Sequence, residues 1–347
     1  MTNSVINKLE SIQQSLYEQA FSRAKAIMFG TSRSLKDYYR RFENDLPSGG
    51  EVVTLDNICH EIHEKTFILC GDFHTLKQSQ RGFLRLIKAY LNNYKNKEII
   101  IALEAFRAVN QNYLDQYLSG ELTEVKFLEL IEYNKYWDFP WPNFKMLLDF
   151  AKNQKVKICG INSDRGGRDN IFSRDRFVAN QLNSLHKEHP EHKIFCLIGE
   201  LHLSQQHLPS YLLRRSKASP YNRGIIRILC NVDKYYHGLS SKNFTKSSEY
   251  LQIKKNLFCI LNSPPWMKWQ SFNMWQEMHF LRKKSAKNVA DIDEEESDYL
   301  AEYFDIDSHF LNIASLLAGF FELDLKTIDL YNFNIFTGDS VELEEYL

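Results

Sequence analysis

With 347 residues the chain can bury one large core or two, and 44% hydrophobic with 25% charged residues describes an ordinary globular protein. A net charge of −1 leaves no basic footprint for nucleic acid. No apolar run reaches the length that spans a bilayer; the longest, 310–321, reads as a buried helix.

The first residues, MTNSVINKLESIQQSLYEQ, break any apolar core that a secretory signal would need, so the expected location is the cytoplasm. They also place Ile6, Leu9, Ile12, Leu16, Ala20, Ala24 and Ile27 on one helical face, with Gly30 as a stop. A β–α rhythm follows. Strand-like runs at 66–71, 98–103, 155–161, 193–198 and 224–230 are rich in Ile, Leu, Val, Phe and Cys and barely alternate, as strands buried on both faces do. Helical patterns separate them at 76–92, within 108–132, at 142–153 and at 174–187. The expected fold is α/β: a mostly parallel sheet with helices on both faces.

The stretch between the second and third strands is too long for one crossover, so residues 106–150 are expected to form a small helical cap. The expected organisation is N-terminal helices over 1–50, the α/β core over 51–231, and a mainly helical extension over 232–347. In that extension a helix opens at Pro264-Pro265, residues 288–298 read as an exposed acidic linker, and 308–321 as a further helix. The six cysteines show no CxxC spacing, and at least four lie in strand-like runs, where cysteine behaves as a small hydrophobe.

Two strands end alike. FILCGDFH (67–74) and FCLIGELH (195–202) both close on glycine, an acid, an apolar residue and histidine. A third strand, EIIIALEAF, ends on Glu104 after five apolar residues. Ligands of open parallel sheets gather outside the carboxyl ends of the strands. There Asp72 and His74, Glu200 and His202, and Glu104 would converge. Such a set can hold a divalent metal with a position open for water, or let a carboxylate-oriented histidine act as general base. Asn162, Asp164 and Arg165 follow the next strand and reach the same crevice. Arg174 and Asp175 sit at a helix start, where Asp175 either caps the helix or joins the site, and Arg174 either serves structure or orients a substrate.

GDFH, LEAF (103–106) and GELH resemble the superfamily that joins ChaN-like haem-associated proteins, erythromycin esterases, and the Tiki and TraB proteins. Its signature is two Gly-x-x-His motifs with a glutamate between them. The ChaN-like branch adds a Trp-containing cap, matched by Trp137 or Trp141, a strand ending in Asn with a nearby Arg, matched by Asn162 and Arg165, and an Arg-Asp pair opening a helix, matched in SRDRFVANQL (173–182). The match covers roughly 66–215, and Asp72 stands where the family usually has Glu.

The resemblance implies an α/β core with a helical cap, and either hydrolysis or haem binding. The leading expectation is hydrolysis of a peptide or ester bond by activated water. A divalent metal (Mn, Co, Zn or Fe) would be held by His74, Glu104 and His202, with Asp72 or Glu200 as further ligand or base and Arg174 on a small-molecule or peptide substrate. Asn162, Arg165, Asp175, Trp137 and Trp141 would line the substrate site. The alternatives are a haem or iron protein without turnover and an inactive scaffold. The aromatic stripe Trp266, Trp269, Phe272 and Trp275 is expected to pack within its own domain, with a homodimer contact or a lid as the alternatives.

Overall fold

The computed structural model describes residues 3–29, 33–95, 98–164, 171–216, 224–240 and 249–285, with 316 and 319. The elements in chain order are α1 (Asn3–Phe29), α2 (Arg33–Asp45), β1 (Glu51–Val52), α3 (Leu55–His63), β2 (Phe67–Asp72), α4 (Lys77–Asn93) and β3 (Ile99–Arg107). Next come α5 (Gln111–Ser119), α6 (Glu124–Leu130), α7 (Tyr133–Tyr136), α8 (Trp141–Gln154), β4 (Lys157–Asn162), α9 (Ile171–Glu188) and β5 (Lys193–Gly199). The chain continues through α10 (Leu208–Ser216), β6 (Ile225–Cys230), α11 (Asp233–Ser240), β7 (Tyr250–Lys254), β8 (Leu257–Ile260) and α12 (Pro265–Ser285). These form two compact units, one built on Ser32–Cys230 and Ser247–Ile260, the other containing α1, α11 and α12.

The first unit holds the whole sheet, in the order β1-β7-β8-β6-β2-β5-β3-β4. The run from β8 to β4 is parallel throughout, and β7 pairs antiparallel with both β8 and β1. The α/β reading therefore holds. Every residue of β2 is buried, and of β3 only Arg107 is not fully so, which explains their unbroken Ile, Leu, Phe and Cys runs. All six cysteines are free and buried.

The expected end of the core at 231 falls short. After β6 the chain leaves the sheet, then returns as β7 and β8 at its edge. YLQIK of β7 is only partly buried, and the short LFCI of β8 has no polar neighbours in the run to mark it as a strand. Residues 288–298 and the expected helix at 308–321 lie outside the described part of the chain, apart from 316 and 319.

In the second unit the α12 stripe is used internally. Trp266 and Trp269 are buried, Trp269 Nε1 donates to Asp233 Oδ2 at 2.6 Å, and its ring lies 5.0 Å from that of Phe21 on α1. Phe272 and Trp275, the rest of the stripe, are partly buried, with their rings 5.9 Å apart. Among the described residues no helix is long and apolar enough to cross a membrane.

Candidate functional site

The sheet order explains why the two Gly-x-x-His endings meet. β5 lies between β2 and β3, with Asp72 opposite Gly199 and Leu103 opposite Leu197. The chain beyond β2 and β5 therefore emerges side by side, and Glu104 stands on the other flank of β5. Between Leu103 and Arg107 the pairing of β3 with β4 shifts register, a bulge that re-aims the strand at Glu104. Gly160 of β4 permits it: a Cβ there would lie 2.9 Å from the carbonyl oxygens of both Phe106 and Arg107.

His74, Glu104 and His202 converge. Glu104 Oε2 accepts the Gly199 N–H at 2.7 Å and lies 3.8 Å from His74 Nε2. Its Oε1 takes a charge-assisted hydrogen bond from Arg174 Nη2 and lies 3.6 Å from His202 Nε2. A Cβ at Gly199 would sit 3.3 Å from His74 Nε2, a tight contact, and 3.5 Å from Glu104 Oε2. Burial alone would raise the Glu104 carboxyl, but Arg174, then the two histidines and the Gly199 N–H, hold it down at about 2.

Each histidine is fixed from behind by its own acid. His74 Nδ1 lies 2.7 Å from Asp72 Oδ2, and Gln80 Nε2 donates to the other Asp72 oxygen. Burial outweighs these partners and leaves the Asp72 carboxyl above its ordinary value. Burial pulls the His74 imidazole down, but Asp72 and then Glu104 more than offset it, so its net shift is upward. His202 Nδ1 lies 2.6 Å from Asp175 Oδ1 on α9, not on an acid of its own motif. Tyr38 of α2 completes this half. Its hydroxyl reaches both Asp175 oxygens at 3.1 and 3.0 Å and lies 2.9 Å from His202 Nδ1. Burial, then the Asp175 charge, push that hydroxyl far above its ordinary value, so it stays a donor. The His207 ring stacks on Tyr38 with centroids 3.6 Å apart and planes 2° from parallel.

Other expected residues fall elsewhere. Glu200 is buried with its Cβ close behind Gly71, on a short 3-10 turn (Glu200–Leu203), and His202 draws its carboxylate from Asp175 instead. Asp175 does not cap α9; it lies inside the helix and faces His202. Asn162 accepts from the N–H of Ser163 at 2.9 Å and shapes the chain leaving β4. Arg165 lies outside the described residues. Trp137 does reach the site, its ring 4.5 Å from that of His74, with Phe139 at 4.7 Å. Trp141 does not: its Nε1 donates to Glu124 at 2.8 Å, and its ring packs among Phe106, Phe127 and Tyr133 inside the cap. Sequence reasoning missed Tyr38 and Gln80, which carry no motif and lie on amphipathic helices.

The expected metal does not fit this geometry. The Arg174 cation is bound to one Glu104 oxygen and Gly199 N–H to the other, so a divalent ion between the histidines and Glu104 would stand beside a fixed positive charge. Among the described residues no group of three or more His, Cys, Asp or Glu is arranged to hold an ion.

The paired Gly-x-x-His ends around one glutamate resemble the signature of the Tiki superfamily, and one family comparison bears on that resemblance. The family model described as haem-binding uptake, Tiki superfamily, ChaN matches residues 58–173, so the ChaN-like resemblance of the motifs is borne out over that stretch. The matched residues include the first Gly-x-x-His motif and Glu104, while the second motif lies beyond them. Among solved structures, ChaN of Campylobacter jejuni, described with cofacially bound haem, is similar at 18% identity and a TM-score of 0.38, covering 52% of this chain and 87% of that one. The C-terminal region of Pasteurella multocida toxin, described with a thiol-protease-like catalytic triad, is similar at 15% identity and a TM-score of 0.39, covering 66% of this chain and 31% of that one. RRSP, a MARTX toxin effector domain from Vibrio vulnificus, is similar at 16% identity and a TM-score of 0.34, covering 58% and 41%. No curated protein matches the chain in sequence.

Proposed function

We propose that this site hydrolyses a peptide or ester bond through a water activated by His74, with no metal taking part. One observation carries the reading: two imidazoles, each backed at Nδ1 by a buried carboxylate, present Nε2 to the same glutamate. An ionised carboxylate only accepts, so each neutral ring carries its proton on Nδ1 and its lone pair on Nε2. That is the tautomer a general base needs.

His74 is the base because its side chain keeps 20% exposure, against 7% for His202. Asp72 makes it more basic than an ordinary imidazole and stabilises the imidazolium that forms on taking a proton from water. Glu104, held near 2, stays ionised and cannot donate a proton; it supplies fixed negative charge beside both rings. Arg174 spends one nitrogen on Glu104 and has further donors for negative charge developing on a substrate. Six free, buried cysteines suit a reducing compartment, and the cytoplasm is the proposed location.

The test is turnover of chromogenic esters and peptide anilides by the purified protein, with and without EDTA. Turnover that survives EDTA and disappears in His74→Ala supports the reading. Turnover lost in EDTA and restored by a divalent metal, or no turnover of either class, overturns it.

Haem binding without turnover is the second reading, favoured by the description of the matching family. The geometry limits how it can occur. His74 Nε2 lies 3.8 Å from Glu104 Oε2 and His202 Nε2 3.6 Å from Glu104 Oε1, so an iron held by either imidazole would stand beside that carboxylate. Titration with haemin, followed in the visible spectrum, separates the two readings: a stoichiometric Soret band in the wild type would favour haem.

A further inference from the structure

This inference rests on the reading of His74 as the group that meets a substrate, and concerns how a substrate reaches it. The His74 side chain keeps 20% exposure. On the cap side its neighbours are Trp137 and Phe139, whose ring centroids lie 4.5 and 4.7 Å from its own. Both rings belong to one short stretch, 132–139, which holds the four-residue helix α7. Beyond that stretch the cap is tied to the strand end: Asn143 Nδ2 on α8 donates to the His74 carbonyl at 3.3 Å.

The stretch is bracketed by two residues in the left-handed region. Glu132, before α7, has φ 51° and ψ 49°, and Asp138, after Trp137, has φ 55°. Glycine takes such a conformation freely, whereas a side chain makes it costly, and such positions gather at clamps and switches. The closed arrangement carries a second cost between them. The Tyr133 hydroxyl and Trp137 Nε1 are shut off from solvent and have no hydrogen-bond partner among the described residues. A buried donor left unpaired forfeits its hydration, and moving the stretch outward returns both donors to water.

What holds the stretch down comes from the sheet. Arg107 ends β3, three residues after Glu104. Its guanidinium lies 3.6 Å from the centroid of the Tyr136 ring, and its Nη2 donates to the Ile131 carbonyl at 3.4 Å. Nη1 donates to the Asp164 carbonyl at 3.2 Å, which fixes the guanidinium against the chain leaving β4. One arginine thus grips the end of α7 and the residue just before Glu132, through a planar stack that a lysine could not make. Apolar packing of Tyr133 and Trp137 adds to that grip. Costs that favour opening and contacts that favour closure meet in the same few residues.

We propose that residues 132–139 form a lid over His74, with Glu132 and Asp138 as its hinges and Arg107 as its latch. Closed, the lid lays Trp137 and Phe139 against the imidazole. Open, it admits a substrate to it.

The test is access to His74, read on the full-length chain. Diethyl pyrocarbonate acylates unprotonated imidazoles, and peptide mass spectrometry gives the rate at each histidine. His60, exposed on α3, is the internal reference. Tyr136 and Asp138 are both only partly buried, so variants there loosen the lid without touching the sheet. Tyr136→Leu removes the ring under the Arg107 cation, and Asp138→Val places a β-branched residue where φ is positive. Each should raise the rate at His74 relative to His60 about tenfold, with a cooperative unfolding transition retained. Arg107→Lys, which keeps the charge but not the stack, should act in the same direction. An unchanged ratio in any of these variants would overturn the lid. So would an equal rise at the fully buried His207, which reports general loosening. The readout needs no turnover. The expected ratios without turnover of p-nitrophenyl acetate by any of the proteins would sink the hydrolytic reading and leave the lid standing; turnover with unchanged ratios would do the reverse.

Discussion

The two histidine halves of the site start from nearly the same sequence and end in different surroundings. At the end of β2 the acid that holds His74 is Asp72, two residues away in the same motif, and the ring lies against the aromatic cap with a fifth of its side chain exposed. At the end of β5 the acid in the motif, Glu200, lies behind Gly71, and His202 is held instead by Asp175 from α9 and Tyr38 from α2. The first half is local and partly open; the second is assembled from distant segments and closed. The difference teaches that a repeated motif need not repeat a role. On the proposed reading the first copy exchanges protons with a substrate, and the second braces Glu104 from the far side.

The largest expected effect falls on the open half. His74→Ala should lower turnover by roughly 10²–10⁴-fold, the usual worth of a positioned acid–base group, while leaving a cooperative unfolding transition. Equal loss of activity and fold would erase the distinction between the halves. Single-turnover assays beside urea unfolding measure both.

In the closed half the main effect is on stability. Asp175 is fully buried, and Asp175→Ala strands the Tyr38 hydroxyl and the His202 ring, at a cost of about 3–5 kcal/mol in urea unfolding. A cost no greater than that of His74→Ala would mean that the second half is not the structural one.

Glu104, shared by both halves, should govern the acid limb. Its folded pKa near 2 lies below its ordinary value of 4.5, so its contribution is present above about pH 4.5 and lost as the pH falls toward 2. It amounts to something on the order of 3 kcal/mol. Glu104→Gln should therefore flatten the loss of stability across that window. His74 has the opposite sign: its pKa is raised, so its contribution is complete below its ordinary 6.5 and fades as the pH rises through the folded value. An acid limb left unchanged in Glu104→Gln would count against the charge cluster as described.

The smallest effect belongs to Tyr38→Phe, which removes a hydroxyl shared by Asp175 and His202 and should cost roughly 1.5–2 kcal/mol. A change confined to the pH dependence of turnover, with no loss of stability, would move Tyr38 from the brace to the chemistry.

The sequence by itself determined the parallel core, the cap and the three strand ends that meet. Buried parallel strands must be apolar along their whole length, so a glycine, a charge or a histidine at the end of such a run stands out, and His74, Glu104 and His202 were legible for that reason. Only the tertiary structure decided what those residues do. Tyr38 lies 137 residues from Asp175, and Arg174 lies 70 from Glu104, so their pairing depends on how α2 and α9 pack on the sheet. Nothing in YYRRF or SRDRF announces it, because a hydrogen bond between distant segments leaves no periodicity. The metal expected from the ligand types meets the same limit. Residue type shows which atoms could bind an ion, while the charge beside them is fixed by a neighbour brought from elsewhere, here Arg174. Strands β7 and β8 were lost because β7 is largely half-exposed and β8 only four residues long, so neither carries the long apolar run that marks a central strand.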